Sequence, residues 1–279
     1  MKALKVFSVV VLLLLRTAAI SLWAQDKPTA VPAEIDMSDF YPLGFSTVDE
    51  VLFAKFGLDL PWADEVTFTN ESQHEYVDLG LSVKWATCNV GADKPEDYGD
   101  YYAWGELMPK EKFTWANYRF RTRGNDEVYV KFSKYTSAYY TSVFDADKRE
   151  YIADNKTRLD LEDDVAHVMW GGNWRLPTDD EMNELIDSCT WTWTSLNGVK
   201  GCLVTSNRPG YTDRSIFLPA AGVFDNNIRS SGTWGHYWSS SVNKQETSYR
   251  AGVLAIGSGY AAVKGTFRYH GQSIRPVCP

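Results

Sequence analysis

Cysteine and histidine are scarce, four of each in 279 residues, and neither is spaced for a metal or a redox pair. No two cysteines stand two residues apart, which excludes a zinc ribbon and a thioredoxin-like dithiol. His74, His167, His236 and His270 are scattered singly, as hydrogen-bonded structural residues are. His74-Glu75-Tyr76-Val77-Asp78 begins like a zinc-protease helix but sets Asp where the second imidazole must stand. A phosphate-cradling Gly-Lys-Ser/Thr loop is missing. Gly271-Gln272-Ser273-Ile274-Arg275 places Arg where the sharp turn of a serine nucleophile needs Gly. Positive charge is in the minority, with 28 Lys and Arg against 36 Asp and Glu. Binding to phosphate backbones draws on counterion release by Lys and Arg, so no nucleic-acid partner is expected.

Long apolar stretches are equally few. The one such run, Val6 to Leu15, is broken only by Ser8, follows Lys2 and Lys5, and is cut by Arg16. It falls short of the roughly 20 apolar residues of a membrane span and has the layout of an export signal, so residues 1–24 are expected to be cleaved after Ala24. No cysteine stands at that junction to carry a lipid. A secreted, periplasmic or cell-surface protein is expected, with no transmembrane segment once the signal is removed. Export places Cys88, Cys189, Cys202 and Cys278 where disulfides persist. Cys189 and Cys202 flank the turn signal Asn197-Gly198, so either they close a short disulfide loop or all four are small buried hydrophobes.

Aromatic residues are what the chain has in excess: 16 Tyr, 13 Phe and 11 Trp, suited to a packed core and to stacking surfaces. Residues 25–73 open with Pro28, Pro32 and Pro42 and hold one helical pattern, Thr47 to Phe56, stopped by Gly57; they read as a linker with a short docking helix. One domain is expected from 74 to 279. Two helices come early in it. Asp160 to Trp170 has acids in its first turn and Gly171-Gly172 after its end. The second starts at Thr178, with Glu181 three residues on as a capping box, and spaces Met182, Leu185, Ile186 and Cys189 along one face. Strands are expected at Trp191 to Ser195, Val199 to Thr205, Ser215 to Leu218, Tyr237 to Val242, Arg250 to Ile256, Ala261 to Val263 and Ser273 to Val277. Helices bunched early and antiparallel strands afterwards give the α+β class.

Looser motifs dissolve on inspection. Gly257-Ser258-Gly259-Tyr260-Ala261-Ala262 fits a dinucleotide pattern, but no helix follows to hold a pyrophosphate, so it reads as a hairpin turn. Asp145-Ala146-Asp147 opens like a calcium loop, yet Glu150 and Lys156 stand where the bend glycine and the bidentate glutamate belong. Acid pairs such as Asp163-Asp164 and Asp179-Asp180 sit at helix starts and read as caps. No metal, no cofactor and no catalytic residue is expected.

From Val77-Asp78-Leu79-Gly80-Leu81-Ser82-Val83-Lys84-Trp85-Ala86-Thr87-Cys88-Asn89-Val90-Gly91-Ala92 onward the sequence resembles secreted proteins of gut Bacteroidetes related to the Fibrobacter succinogenes major paralogous domain. Further blocks follow in order: Tyr98 to Glu106, Trp170 to Thr178, Phe217 to Gly222, Gly235 to Ser241 and Ile274 to Val277. The likeness covers about 76–278, departing at Met182, where Trp is expected, and at Leu176, where Met is common. It implies a C-type lectin-like domain with two helices, a twisted antiparallel sheet and long loops, a fold similar to that of formylglycine-generating enzymes and of retroelement-diversified variable proteins. The oxidase's closely spaced cysteine pair and the lectin triplets Glu-Pro-Asn and Gln-Pro-Asp are missing here, so the resemblance carries over no catalytic or calcium-binding residue.

Trp104, Trp170, Trp174 and Trp238 stand beside Gly or in landmark blocks and are expected in the core, with Arg175 and Arg275 as clamps on carbonyls or a carboxylate. Binding residues are expected on loops flanking the late strands: Asn226, Asn227, Arg229, Trp234, Tyr249, Tyr260, Arg268 and Tyr269, with His270 beside them. These expectations add up to a non-catalytic binding module for a glycan or a protein. The alternatives are a structural subunit of a surface assembly, docked through 25–72, and a hydrolase or oxidase using scattered acids.

Overall fold

The computed structural model describes residues 74–122, 132–136, 143–145, 150–242 and 249–279. The export signal, the linker with its docking helix, and residues 146–149 of the calcium-like stretch lie outside the described residues. Strands β1 (Tyr76–Val77) and β2 (Lys84–Ala86) lead, followed by the short pair β3 (Val143–Asp145) and β4 (Glu150–Ile152). Helices α1 (Val165–Trp170) and α2 (Asp179–Ser188) precede β5 (Cys189–Leu196), β6 (Val199–Ser206) and β7 (Ser215–Pro219). The chain closes with β8 (Val223–Phe224), β9 (Ile228–Arg229), β10 (Trp234–Val242), β11 (Arg250–Gly257), β12 (Tyr260–Phe267) and β13 (Val277–Cys278). Every paired strand is antiparallel. The class is α+β, as the order of patterns predicts.

Instead of one continuous sheet, the strands divide among three of three strands, ordered β1-β2-β13, β5-β6-β7 and β10-β11-β12, and two short pairs. The expected last strand is a second difference. Only β13 pairs as a strand, because Pro276 has no N–H to give a ladder; Ser273 is held instead by a parallel bridge to Tyr237.

The helices follow their caps. The expected helix from Asp160 splits into a 3₁₀ turn, Leu161–Asp163, and α1, because Asp164 stays extended and becomes the N-cap. Its carboxylate accepts from the N–H groups of Ala166, His167 and Leu176 at 3.0, 3.2 and 2.8 Å. Burial nevertheless pushes that carboxyl up to about 6, against the pull of the three donors. Asp163 turns away to Tyr135 and Lys134. At α2 the capping box forms as read, with Glu181 N–H donating to Thr178 Oγ1 at 3.2 Å and Thr178 N–H to Glu181 Oε2 at 2.8 Å. Met182 and Leu185 then face inward and are fully buried.

Two apolar clusters form the core. One gathers Tyr102, Trp104, Phe113, Phe132, Trp170, Trp174 and Trp238; the other gathers Leu79, Trp85, Met182, Leu185, Leu218, Tyr237, Leu254 and Ile256. Strand β11 feeds both through the period of two: Ala251 and Val253 join the first, Leu254 and Ile256 the second. All four landmark tryptophans are buried, as expected.

Arginines tie the segments together. Arg275, 1% exposed, donates from Nε to Asn89 Oδ1 at 2.8 Å, from Nη1 to the carbonyls of Ala86 and Thr87 at 3.0 and 2.8 Å, and from Nη2 to that of Phe217 at 2.9 Å. Arg175 forks onto Glu181 at 2.8 and 2.6 Å. The expected clamps are both present, one on carbonyls and one on a carboxylate. Arg275→Leu strands those acceptors in the interior and is expected to lower the unfolding free energy by about 3–5 kcal/mol. Arg275→Lys recovers less than half, since one ammonium cannot span both carbonyl sets. Urea titration of the three proteins measures this.

Candidate binding site

Two hairpins contribute to the lining of one cavity. Strands β5 and β6 pair over eight residues through the turn Asn197-Gly198, where both residues have positive φ. Strands β11 and β12 pair through Gly257↔Tyr260, the hairpin expected from the glycine-rich motif. Between them lies a cavity of about 230 Å³ lined by Trp191, Trp193, Cys202, Gly257, Gly259, Tyr260 and Ala261. Alternation along β5 turns Trp191 and Trp193 to the same face, and Cys202 faces Trp193 in register from β6. Trp234 packs edge-on against Tyr260 with ring centroids 5.4 Å apart. Gly257 makes room for it, because a Cβ there would lie 2.9 Å from the Trp234 ring. Lys264 Nζ sits 4.9 Å from the Tyr260 ring centre. The indole N–H of Trp191 is buried and has no hydrogen-bond partner.

The wall contains neither carboxylate nor imidazole. Its thiol, Cys202, is pushed by burial up to about 11 and so stays protonated and weakly nucleophilic at neutral pH. The proposed Cys189–Cys202 disulfide is corrected. Cys189 faces Ser206 and Cys202 faces Trp193, which sets the two cysteines four register positions apart, and all four cysteines are free thiols. Cys189 and Cys202 take the other expected role, buried in the second apolar cluster.

The eight expected binding residues fall in four places. Tyr260 lines the cavity, and Trp234 packs against it from outside the lining. Tyr249 and Tyr269 belong to an aromatic ladder with Phe267, Trp115 and His270: Tyr249 lies 5.8 Å from Phe267, Tyr269 stacks on Phe267 at 5.7 Å, and Trp115 and His270 approach Tyr269 at 4.7 and 4.6 Å. The β8–β9 turn lies beside this ladder. There Asp225 accepts from the N–H groups of Asn226 and Asn227 and pairs with Arg229, so the loop satisfies much of its own polarity. Arg268 is corrected outright. It is fully buried, donates to the Tyr135 carbonyl at 3.0 Å, and lies over the Trp104 and Phe132 rings at 4.7 and 5.0 Å. No ligand reaches it; it is a core clamp like Arg275. Trp191 and Trp193, which line the cavity, are not among the residues the sequence singled out, although the alternation of Thr190 to Thr194 already places both rings on one face of a strand.

Two buried acids, Glu106 and Asp163, are held in ion pairs. Buried Glu106 pairs with Lys110 and accepts from Arg119 N–H, and Asp163 accepts from Tyr135 and pairs with Lys134 and Arg119. Asp160, Glu162 and Asp163 could together hold a metal ion, but the Lys134 ammonium stands among them at 2.7, 2.6 and 2.6 Å. Burial works against that ammonium's charge, yet the three carboxylates outweigh it and hold the group well above its ordinary value.

At pH 8, thiol labelling of the native protein is expected to modify half-exposed Cys88 and Cys278, and all four sites only after unfolding without reductant; mass spectrometry counts them. Burial lowers His270 to about 4, with charged Asp225 and Arg229 nearby adding smaller opposing effects. The imidazole is therefore neutral in the fold at neutral pH. Its contribution to stability is complete above the unfolded-state value near 6.5 and is lost as pH falls toward 4. Titration of its ring protons by NMR should give a midpoint near 4, and His270→Gln should lose less stability than the parent between pH 6.5 and 4.

No family model, curated protein or solved structure matches this chain, and the site is read from its own geometry.

Proposed function

We propose that the protein is a non-catalytic module of the C-type lectin-like type, exported by its first 24 residues, that binds a glycan in the cavity between the β5–β6 and β11–β12 hairpins. The observation that carries this is the wall of Trp191, Trp193 and Tyr260 around a space of about 230 Å³. That space is smaller than the several hundred Å³ of pockets for drug-sized ligands and suits one ring-sized group. Flat aromatic faces match the C–H face of a sugar ring, while the Tyr260 hydroxyl offers directional bonds to its hydroxyls. Binding rather than turnover fits the chemistry of the wall, which lacks an acid or base near its working range. The resemblance to the major paralogous domain supports the same reading, since it brings a scaffold and no catalytic residue. Among the described residues no helix is long and apolar enough to cross a membrane.

A glycan array followed by calorimetry tests this reading. Trp191→Ala, Trp193→Ala and Tyr260→Ala are each expected to weaken binding about tenfold, or about 1.4 kcal/mol, while Asn226→Ala leaves it unchanged. Undiminished affinity in all three aromatic variants would remove the site. Capture of proteins but no glycans would replace the ligand class.

A further inference from the structure

Sheet edges invite pairing, and folds usually blunt them with charge, proline, bulges or covering segments. Along β10 the edge is covered: the N–H groups of Trp238, Ser240 and Val242 donate to the carbonyls of Ser273, Pro177 and Thr157. Strand β7 ends in Pro219 and gives its Phe217 carbonyl to Arg275. Strand β12 carries an exposed lysine, Lys264, followed by Gly265. The remaining edge strands are two or three residues long.

Strand β5 has none of these guards. It runs eight residues, Cys189–Leu196, without charge, proline or glycine, and pairs with β6 in unbroken register. Alternate residues of such a strand aim N–H and C=O away from the partner strand. Among the described residues, no backbone group from Thr190 to Leu196 bonds to anything beyond β6. Thr190, Thr192 and Thr194 are exposed on one face.

The order of side chains selects the occupant. Thr190-Trp191-Thr192-Trp193-Thr194 reads the same in both directions. Laid antiparallel on itself about Thr192, it sets Thr192 opposite Thr192, Thr190 opposite Thr194, and Trp191 opposite Trp193. Threonine pairs and aromatic pairs are the favourable cross-strand neighbours. A two-fold interface repeats every residue, so a charge at its centre would face its own copy; β5 has none there. We propose that β5 is a self-pairing edge, joining two copies of this chain into a continuous six-stranded sheet, β7-β6-β5 followed by β5-β6-β7 of the second copy. The pairing brings Trp191 and Trp193 of the cavity wall together across the two-fold and so adjoins the glycan site, whereas Thr192, the residue varied in its test, does not line the cavity.

Sedimentation equilibrium of the full exported chain, from Gln25, tests it. A backbone edge is a small interface, so dimers are expected at about 100 µM and dissociate on dilution. Thr192→Lys and Thr192→Glu should each sediment as one chain, with unchanged circular dichroism, and a 1:1 mixture of the two should recover the dimer. Thr190→Lys with Thr194→Glu in one chain keeps opposite charges facing and stays dimeric; Thr190→Lys with Thr194→Lys does not. A wild-type chain that stays monomeric, a dimer that survives in both Thr192 variants, or a mixture that fails to recover it overturns the proposal. Glycan affinity of the monomeric variants reports on the cavity separately.

Discussion

A guanidinium without a carboxylate holds the centre of this protein. Arg275 has lost nearly all contact with water and is satisfied by three carbonyls and one amide oxygen drawn from the end of β2, the segment after it and β7. Burying a charge is costly, and that cost is offset only where every donor finds an acceptor at good distance. The acceptors must therefore stay where they are, which fixes the C-terminal segment, β2 and β7 relative to one another. Arg268 meets the cost only in part, lying over aromatic faces and donating from Nη2 to the Tyr135 carbonyl while its Nε and Nη1 find no acceptor among the described residues, and Arg175 forks onto Glu181. With all four cysteines free, these arginines do the cross-linking that disulfides do in many exported domains.

That rigidity bears on the cavity. Its walls stand on two hairpins whose inner strands, β6 and β11, are buried in the core: Val204 and Leu218 hold one, Leu254 and Ile256 the other. The aromatic rings at the cavity are thus carried by regular strands, with little ordering left to be done when a ligand arrives. The second aromatic ladder, around Tyr269 and Trp115, rests against the β8–β9 turn, whose polar groups are already engaged with Asp225.

Much of the fold was legible in the sequence because local chemistry decided it. Thr178 and Glu181 announce the start of α2, Asn197-Gly198 and Gly257 to Tyr260 announce two hairpins, and alternation announces most of the strands. What the sequence left open depended on long-range partners. Whether Asp160 or Asp164 caps the first helix depends on Leu176, Lys134 and Tyr135, which lie far from both along the chain. The division into three sheets depends on which edges the irregular segments cover. The candidate site was half legible. Loop position pointed to Trp234 and Tyr260, but it also pointed to Arg268, whose burial follows from Trp104 and Phe132 closing over it. Trp191 and Trp193 sit on a strand, where core packing was the obvious assignment, and only the three-dimensional gap beside Tyr260 gives them another role.

The central claim is that a rigid, arginine-clamped scaffold presents the Trp191–Trp193–Tyr260 wall to a sugar. Of the eleven tryptophans only Trp23 falls in residues 1–24, and each of the others contributes one indole N–H signal to a nitrogen–proton correlation spectrum, which makes the claim directly readable. Titrating the protein with a glycan that it binds should shift the Trp191 and Trp193 indole signals to saturation and leave those of Trp85, Trp104 and Trp238 in place. Shifts spread over the core tryptophans, or confined to the ladder around Trp115, would contradict the account.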